Sequence, residues 1–158
     1  MNKRKITCIT GTRADYPRVR SVLREIQRRE ELELSLIVTG SHLLDDYGYS
    51  AQEILDDGFD ISKKVEMFTG DFDSPLGMTE ASARCTAGVA KALDELSPDL
   101  VLITVDRVET LAAASIFMIN RIKIAHIEGG ELSGTIDEMI RHAISKMSNI
   151  HFVTNNVA

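Results

Sequence analysis

Short runs of β-branched and aliphatic residues alternate along this chain with longer stretches in which apolar positions recur every three or four residues. The short runs at 6–10, 34–39, 59–65, 100–103, 123–126 and 150–153 predict strands. They are nearly continuously apolar, as strands covered on both faces of a parallel sheet must be. The longer stretches at 14–29, 50–57, 78–96, 108–120 and 135–147 predict helices. In the first of these, Val19, Val22, Leu23 and Ile26 share one face and the arginines the other. Asp57-Gly58 and Ser97-Pro98 read as helix stops, and 69–77, rich in Gly, Asp, Ser and Pro, as the one long loop. Regular strand–helix alternation predicts an α/β fold: a doubly wound, mostly parallel, Rossmann-like sheet with helices on both faces.

Composition narrows the class without changing the fold. A chain of 158 residues is one domain, long enough to bury its core without disulfides. With 44% hydrophobic and 27% charged residues it reads as a soluble globular protein. Its net charge of −6 provides no basic field for nucleic acid. Cys8 and Cys85 form neither a disulfide framework nor a zinc cluster, and a reducing cytoplasm is the expected compartment. No HxxxH, CxxC or carboxylate cluster suggests a metal. The longest apolar run, 111–119, falls far short of the roughly 20 residues of a membrane span. The basic start Met1-Asn2-Lys3-Arg4-Lys5 is followed by too short an apolar stretch for a signal peptide.

In open α/β sheets, ligands bind beyond the carboxyl ends of the strands. Those ends collect Gly11-Thr12-Arg13-Ala14-Asp15-Tyr16, Gly40-Ser41-His42, Asp106-Arg107 with Glu109, and Glu128-Gly129-Gly130-Glu131. Ser133-Gly134-Thr135-Ile136-Asp137-Glu138 then opens a helix carrying Arg141 and His142. The opposite ends carry only ordinary breakers. Each feature also has a plain structural reading. Gly11 and Gly40 serve as tight turns, or as places where a ligand approaches the backbone. The first loop is not GxGxxG, so the dinucleotide fingerprint is absent. Arg13 near a helix N-terminus is misplaced for the helix dipole, which a phosphate between them would resolve; a solvated arginine is the alternative. His126 reads as a core imidazole donating to a backbone carbonyl.

Thr135-Ile-Asp-Glu138 has the spacing of a capping box. On that helix Asp137, Glu138, Arg141 and His142 fall on one polar arc, opposite Ile136, Met139, Ile140, Ala143, Ile144 and Met147. A solvated face with Asp137–Arg141 and Glu138–His142 pairs is one reading. The other is chemical: Glu128, Glu131, Asp137 and Glu138 crowd together, and crowded carboxylates push their pKa values apart, as acid–base pairs require.

Taken together, Gly11-Thr-Arg-Ala-Asp-Tyr16, Val38-Thr-Gly-Ser-His-Leu43, Pro98-Asp-Leu-Val101, Asp106-Arg-Val-Glu-Thr-Leu-Ala-Ala113, Ala125-His-Ile-Glu-Gly-Gly-Glu131 and Ser133-Gly-Thr-Ile-Asp-Glu-Met-Ile-Arg-His142 resemble the hydrolysing UDP-N-acetylglucosamine 2-epimerases. The resemblance runs from about residue 5 to 154. It implies a GT-B-like enzyme of two Rossmann-like halves with the nucleotide sugar between them. It further implies anti-elimination of UDP through 2-acetamidoglucal and water addition, yielding the N-acetylmannosamine of sialic-acid-type sugar biosynthesis. Residue by residue, it implies Asp106, Glu128 and Asp137 as acid–base carboxylates, Arg141 as the cation organising them, and Glu138 assisting. Gly11, Arg13, Arg107, Glu131 and Ser133 are implied on the substrate side, with Arg13 at the diphosphate. No metal or redox cofactor is implied, and a homo-oligomer is.

Two departures accompany the match. Thr104-Val105 stands where the family has His-Gly or a similar pair, and a β-branched Val105 is not expected to take the backbone conformations open to glycine. The chain is also short. All 158 residues read as the N-terminal Rossmann-like domain, with the family's second, nucleotide-binding domain and its histidine absent, and no histidine here replaces that one. Such a half is expected to be inactive alone. A non-catalytic nucleotide-sugar-binding or assembly module, pairing with a separate second half, is the alternative. The nucleotide base and the sugar's decorations are not legible.

Overall fold

A computed structural model describes residues 3–156; Met1, Asn2, Val157 and Ala158, and with them both extremities of the chain, lie outside the described residues. The strands are β1 (Arg4–Thr10), β2 (Leu32–Thr39), β3 (Lys63–Val65), β4 (Leu100–Thr104), β5 (Lys123–Ile127) and β6 (Ile150–Phe152). The helices are α1 (Tyr16–Arg28), α2 (Ala51–Asp56), α3 (Pro75–Leu96), α4 (Val108–Ile119) and α5 (Ile136–Met147). The strands form one sheet in the order β3-β2-β1-β4-β5-β6, each neighbouring pair parallel, as the alternation predicts. Chain direction across the sheet reverses between β1 and β4, where such sheets open a crevice at their carboxyl ends.

Alternation of side chains along each strand sorts the core into two layers. Ile9, Ile37, Val101, Ile103 and Ile124 face α3, α4 and α5, where Cys85, Val89, Phe117, Ile140 and Ile144 meet them. Cys8, Leu36, Val38, Leu102 and Ala125 face the other way, against Tyr16, Val19, Leu23 and Ile54 of α1 and α2. Both cysteines are buried and free, their thiols pushed up by burial to about 12 at Cys8 and about 11 at Cys85. No helix of the described residues is long and apolar enough to cross a membrane.

Several expectations are corrected. Helix α3 begins at Pro75, not 78, because Ser74 caps it, its Oγ accepting from Gly77 N at 3.1 Å, with Pro75 supplying a preset φ. Strand β3 spans only 63–65. Phe59 leaves the Gly58 turn to pack edge-on against Tyr16 in the core, and only then does the chain reach the sheet edge. Two short 3₁₀ turns, Gly40–Leu43 and Asp45–Tyr47, follow β2 where no element is expected. Val22 is 38% exposed: it lines a groove with Ile6, Leu100, Ile127 and Phe152, where α1 leaves the sheet face open. Ile136 and Met139 are 66% and 69% exposed; α5 reaches the core through Ile140, Ile144 and, partly buried, Met147.

Candidate active site

Register places the site. Thr104 pairs with Ile127, so Val105 and Glu128 are the next residues on adjacent strands. Both are left-handed, at φ 63° and 62°, although neither is glycine. The two strands therefore kink together at one level of the sheet edge. Val105 does adopt the conformation that its branching disfavours, contrary to the sequence expectation, at a cost of about 1–3 kcal/mol.

Beyond those kinks lies a cavity of about 130 Å³ lined by Arg18, Val105, Asp106, Glu128, Glu131 and Arg141. Arg141 reaches back from α5 to pair with Asp106 and to donate to the Glu131 carbonyl. Both partners of that ion pair are mostly buried, with side chains 13% and 17% exposed. Arg18, from the first turn of α1, pairs with Glu128, and its Nε donates to Ala14 O at 3.3 Å. The Glu128 amide donates to Phe152 O at 2.8 Å, tying the kink to β6. The Glu131 carboxylate accepts from Thr154 and, at 3.0 Å, from Asn155. Three carboxylates thus surround one small space, with two guanidinium groups to neutralise them. Such a set can take a proton from a bound molecule, return one, and stabilise developing negative charge.

The other predicted residues lie elsewhere on the rim. Asp137 is exposed and has no ion-pair or hydrogen-bond partner among the described residues. The expected Asp137–Arg141 pair does not form, since Arg141 is turned to Asp106. The capping box is also absent. Thr135 makes no side-chain cap, and Glu138 accepts from the amides of Ser133 and Gly134, which precede the cap residue. Those two amides, Gly134 first, hold the Glu138 carboxyl below its usual range. The Glu138–His142 pair is present but loose, at 3.9 Å.

On the first loop, Asp15 is 1% exposed and accepts from Gly11 N (3.2 Å), Thr12 N (3.0 Å) and Thr12 Oγ1 (2.7 Å). Burial pushes its pKa up, and these hydrogen bonds and the charge of Arg107 pull it back. The amides of Gly11 and Thr12 are therefore committed to Asp15, which leaves the exposed Arg13 as the loop's cationic contribution to an anion. Gly11 packs against Glu109: a Cβ there would stand 2.5 Å from Glu109 Oε1. Glu109, 2% exposed and raised in pKa by burial, accepts from Arg107 Nε at 3.1 Å. Arg107 thus leans toward the first loop, and it lies outside the lining of the cavity.

The two buried histidines are structural in their contacts. His42 is fully buried between Thr10 Oγ1 (3.0 Å) and Ser50 Oγ (2.7 Å), and burial lowers its pKa to about 4. His126 is a core imidazole, as expected: its Nδ1 pairs with Ser145 Oγ at 3.0 Å, and its ring also meets the Val105 backbone. Burial lowers its pKa too. Gly129 makes room for that pair, since a Cβ would lie 2.7 Å from both atoms. No group of three or more His, Cys, Asp or Glu among the described residues could hold a metal ion.

Sequence reasoning missed Arg18, and it placed Asp15 and Glu109 at the strand ends without a role. The signal for Arg18 was available: a cation near a helix N-terminus opposes the dipole there, the same mismatch that singles out Arg13. Buried Asp15 and Glu109 carry no such mark, because only the folded loop shows what they accept.

The family model described as UDP-N-acetylglucosamine 2-epimerase matches residues 24–158. The chain is 39% identical to a UDP-N-acetylglucosamine 2-epimerase of Neisseria meningitidis, over 98% of its own length and 40% of the relative's. It is 41% identical to a hydrolysing UDP-N,N'-diacetylbacillosamine 2-epimerase of Legionella pneumophila, over 98% of itself and 41% of that protein. The chain thus spans about two fifths of these relatives. A crystal structure of the UDP-GlcNAc 2-epimerase from Neisseria meningitidis bound to UDP-GlcNAc superposes with a TM-score of 0.81 at 21% identity, covering 94% of this chain and 40% of that one. The Methanocaldococcus jannaschii UDP-GlcNAc 2-epimerase in complex with UDP-GlcNAc and UDP gives 0.81 at 19% identity, over 97% and 41%. Those likenesses establish a shared fold.

Proposed function

We propose a function from one premise: the chain belongs to the UDP-N-acetylglucosamine 2-epimerase family. It supplies the acid–base half of a hydrolysing epimerase of GT-B type that acts on UDP-N-acetylglucosamine or a closely related nucleotide sugar. The observation that carries this reading is the cavity in which Asp106, Glu128 and Glu131 meet Arg141 and Arg18.

The reaction divides naturally over these groups. A carboxylate removes the C2 proton while the C1–O bond breaks on the opposite face and its electron pair leaves with UDP. The product of that step is 2-acetamidoglucal. Water then adds across the double bond, oxygen to C1 and a proton to C2, giving N-acetylmannosamine. Nothing is oxidised or reduced overall, and no cofactor is called for. Asp106 and Glu128, held by Arg141 and Arg18, supply base and acid at the sugar, and Arg141 sets the geometry of Asp106. Asp137 and Glu138, at the start of α5, handle the water. Arg13, free of any partner among the described residues, reaches the diphosphate.

Because the chain spans two fifths of its relatives' length, the reading also holds that one wall of the cleft comes from elsewhere. The purified chain, incubated with UDP-N-acetylglucosamine, is then expected to release no UDP. Fused in place of the matching segment of the Neisseria meningitidis relative, it is expected to restore UDP release and N-acetylmannosamine formation. Robust turnover by the chain alone overturns the incomplete-cleft reading; an inert but folded fusion overturns the catalytic one.

A further inference from the structure

Val105 pays for an unusual backbone without a return in core packing. Its φ of 63° lies in the region that β-branched residues avoid most strongly. Such strain persists only where the surroundings impose it, and it concentrates at functional sites. Val105 belongs to neither of the two hydrophobic clusters, although Ile103 and Val108 on either side of it do pack against the core. Val105 instead lines the cavity, where every other lining residue is charged: Arg18, Asp106, Glu128, Glu131 and Arg141. A glycine would satisfy the same kink with no strain, so the side chain is the feature that distinguishes this position.

We propose that Val105 is a specificity-determining residue, the apolar wall against which the C2 acyl substituent of the sugar packs. This rests on the reading of the cavity as the sugar site. Asp106 and Glu128 work at the reacting carbons of the sugar in that reading, and Val105, next to Asp106 on the same wall, stands beside the group attached there. An N-acetyl methyl finds van der Waals contact with the isopropyl group, and a longer acyl chain collides with it. Methylene-sized differences in such pockets change selectivity by roughly 10–200-fold.

The test compares UDP-N-acetylglucosamine with UDP-N-butanoylglucosamine, binding being read by ligand-observed NMR on the chain fused in place of the matching segment of the Neisseria meningitidis relative. The unaltered chain should prefer the acetyl compound by about tenfold or more. Val105→Ala, which keeps an L-residue at the kink, and Val105→Gly, which relaxes it, should both bring that ratio close to one. Chemical denaturation of the same proteins gives a readout independent of any ligand: Val105→Gly should unfold at the same denaturant concentration or a higher one. Binding with an unchanged ratio in both variants overturns the specificity role and leaves the site reading standing. A clear fall in the unfolding midpoint for Val105→Gly assigns the side chain to structural packing and also overturns it. If that fusion, carrying the unaltered chain, binds neither compound, the reading of the cavity as a sugar site fails, and the role of Val105 fails with it.

Discussion

The β1 loop and the β4–β5 rim draw on the same residue types at the same edge of the sheet, yet they use them in opposite ways. In the loop, Asp15 consumes two backbone amides and a hydroxyl, Glu109 packs behind Gly11, and His42 bridges Thr10 and Ser50. Gly40, at φ 61°, lets the backbone come so close that a Cβ would stand 2.5 Å from Gly11 O. Apart from the exposed Arg13, the polar groups named there are answered from within. At the rim, the carboxylates meet side-chain cations around open space and keep lone pairs facing it. Closed networks hold a site in place, whereas open, charge-balanced ones are free to act.

Substitutions should separate the two regions. The largest effect is expected at the rim. In a fusion that turns over, Asp106→Asn should lower the rate of UDP release about 10²–10⁴-fold while the circular dichroism stays as it was, with a fall in unfolding midpoint because Arg141 loses its mostly buried partner. Equal loss of rate and of fold would erase the contrast. Asp137→Asn in the same fusion should also depress turnover by orders of magnitude; an unchanged rate would reduce the start of α5 to a solvated face.

The loop should respond in stability. Asp15→Ala leaves the Gly11 and Thr12 amides without their acceptor and should cost about 2–4 kcal/mol in denaturant unfolding. His42 adds a pH dependence. Its folded pKa of about 4 lies below the ordinary value of 6.5, so the unfolded chain takes up the proton first as pH falls. Stability should therefore decline from pH 6.5 down to about 4 and level off below that, by at most about 3 kcal/mol. His42→Gln should flatten this slope relative to the unaltered chain. The comparison is needed because Asp15 and Glu109, raised by burial, favour the folded state as they protonate and oppose the trend.

The smallest stability effect is expected at Arg18. Its ion pair with Glu128 is half exposed, so Arg18→Gln should shift unfolding by under about 1 kcal/mol. A loss as large as that of Asp15→Ala would place Arg18 with the closed network.

Much of this was readable along the chain. The strands and helices emerged nearly in place because side-chain period is a local property: two residues per repeat in a strand, 3.6 in a helix. The exceptions have local causes hidden by distance. The Ser74-Pro75 start of α3 lies inside a segment rich in breakers, and the apolar Phe59, ahead of β3, serves the core contact with Tyr16 and not the sheet. The rim was legible as a collection of charged residues behind strand ends, and the family motifs named most of its members.

Pairing was not legible. Asp137 and Arg141 stand at the spacing of a helical ion pair, yet Arg141 turns to Asp106, 35 residues away. Glu138 has the position of a capping box and spends its carboxylate on the loop before it. Arg18 and Glu128 come from opposite ends of the chain and meet only because β1, β4 and β5 lie side by side. Alternation and turn chemistry depend on neighbours in sequence, and so they dictated the class of fold and which residues reach the rim. Which charges meet there, and that a valine is bent into a glycine's conformation to line the space between them, follow from strand register and helix placement. Those depend on contacts between distant segments, and no local pattern encodes them.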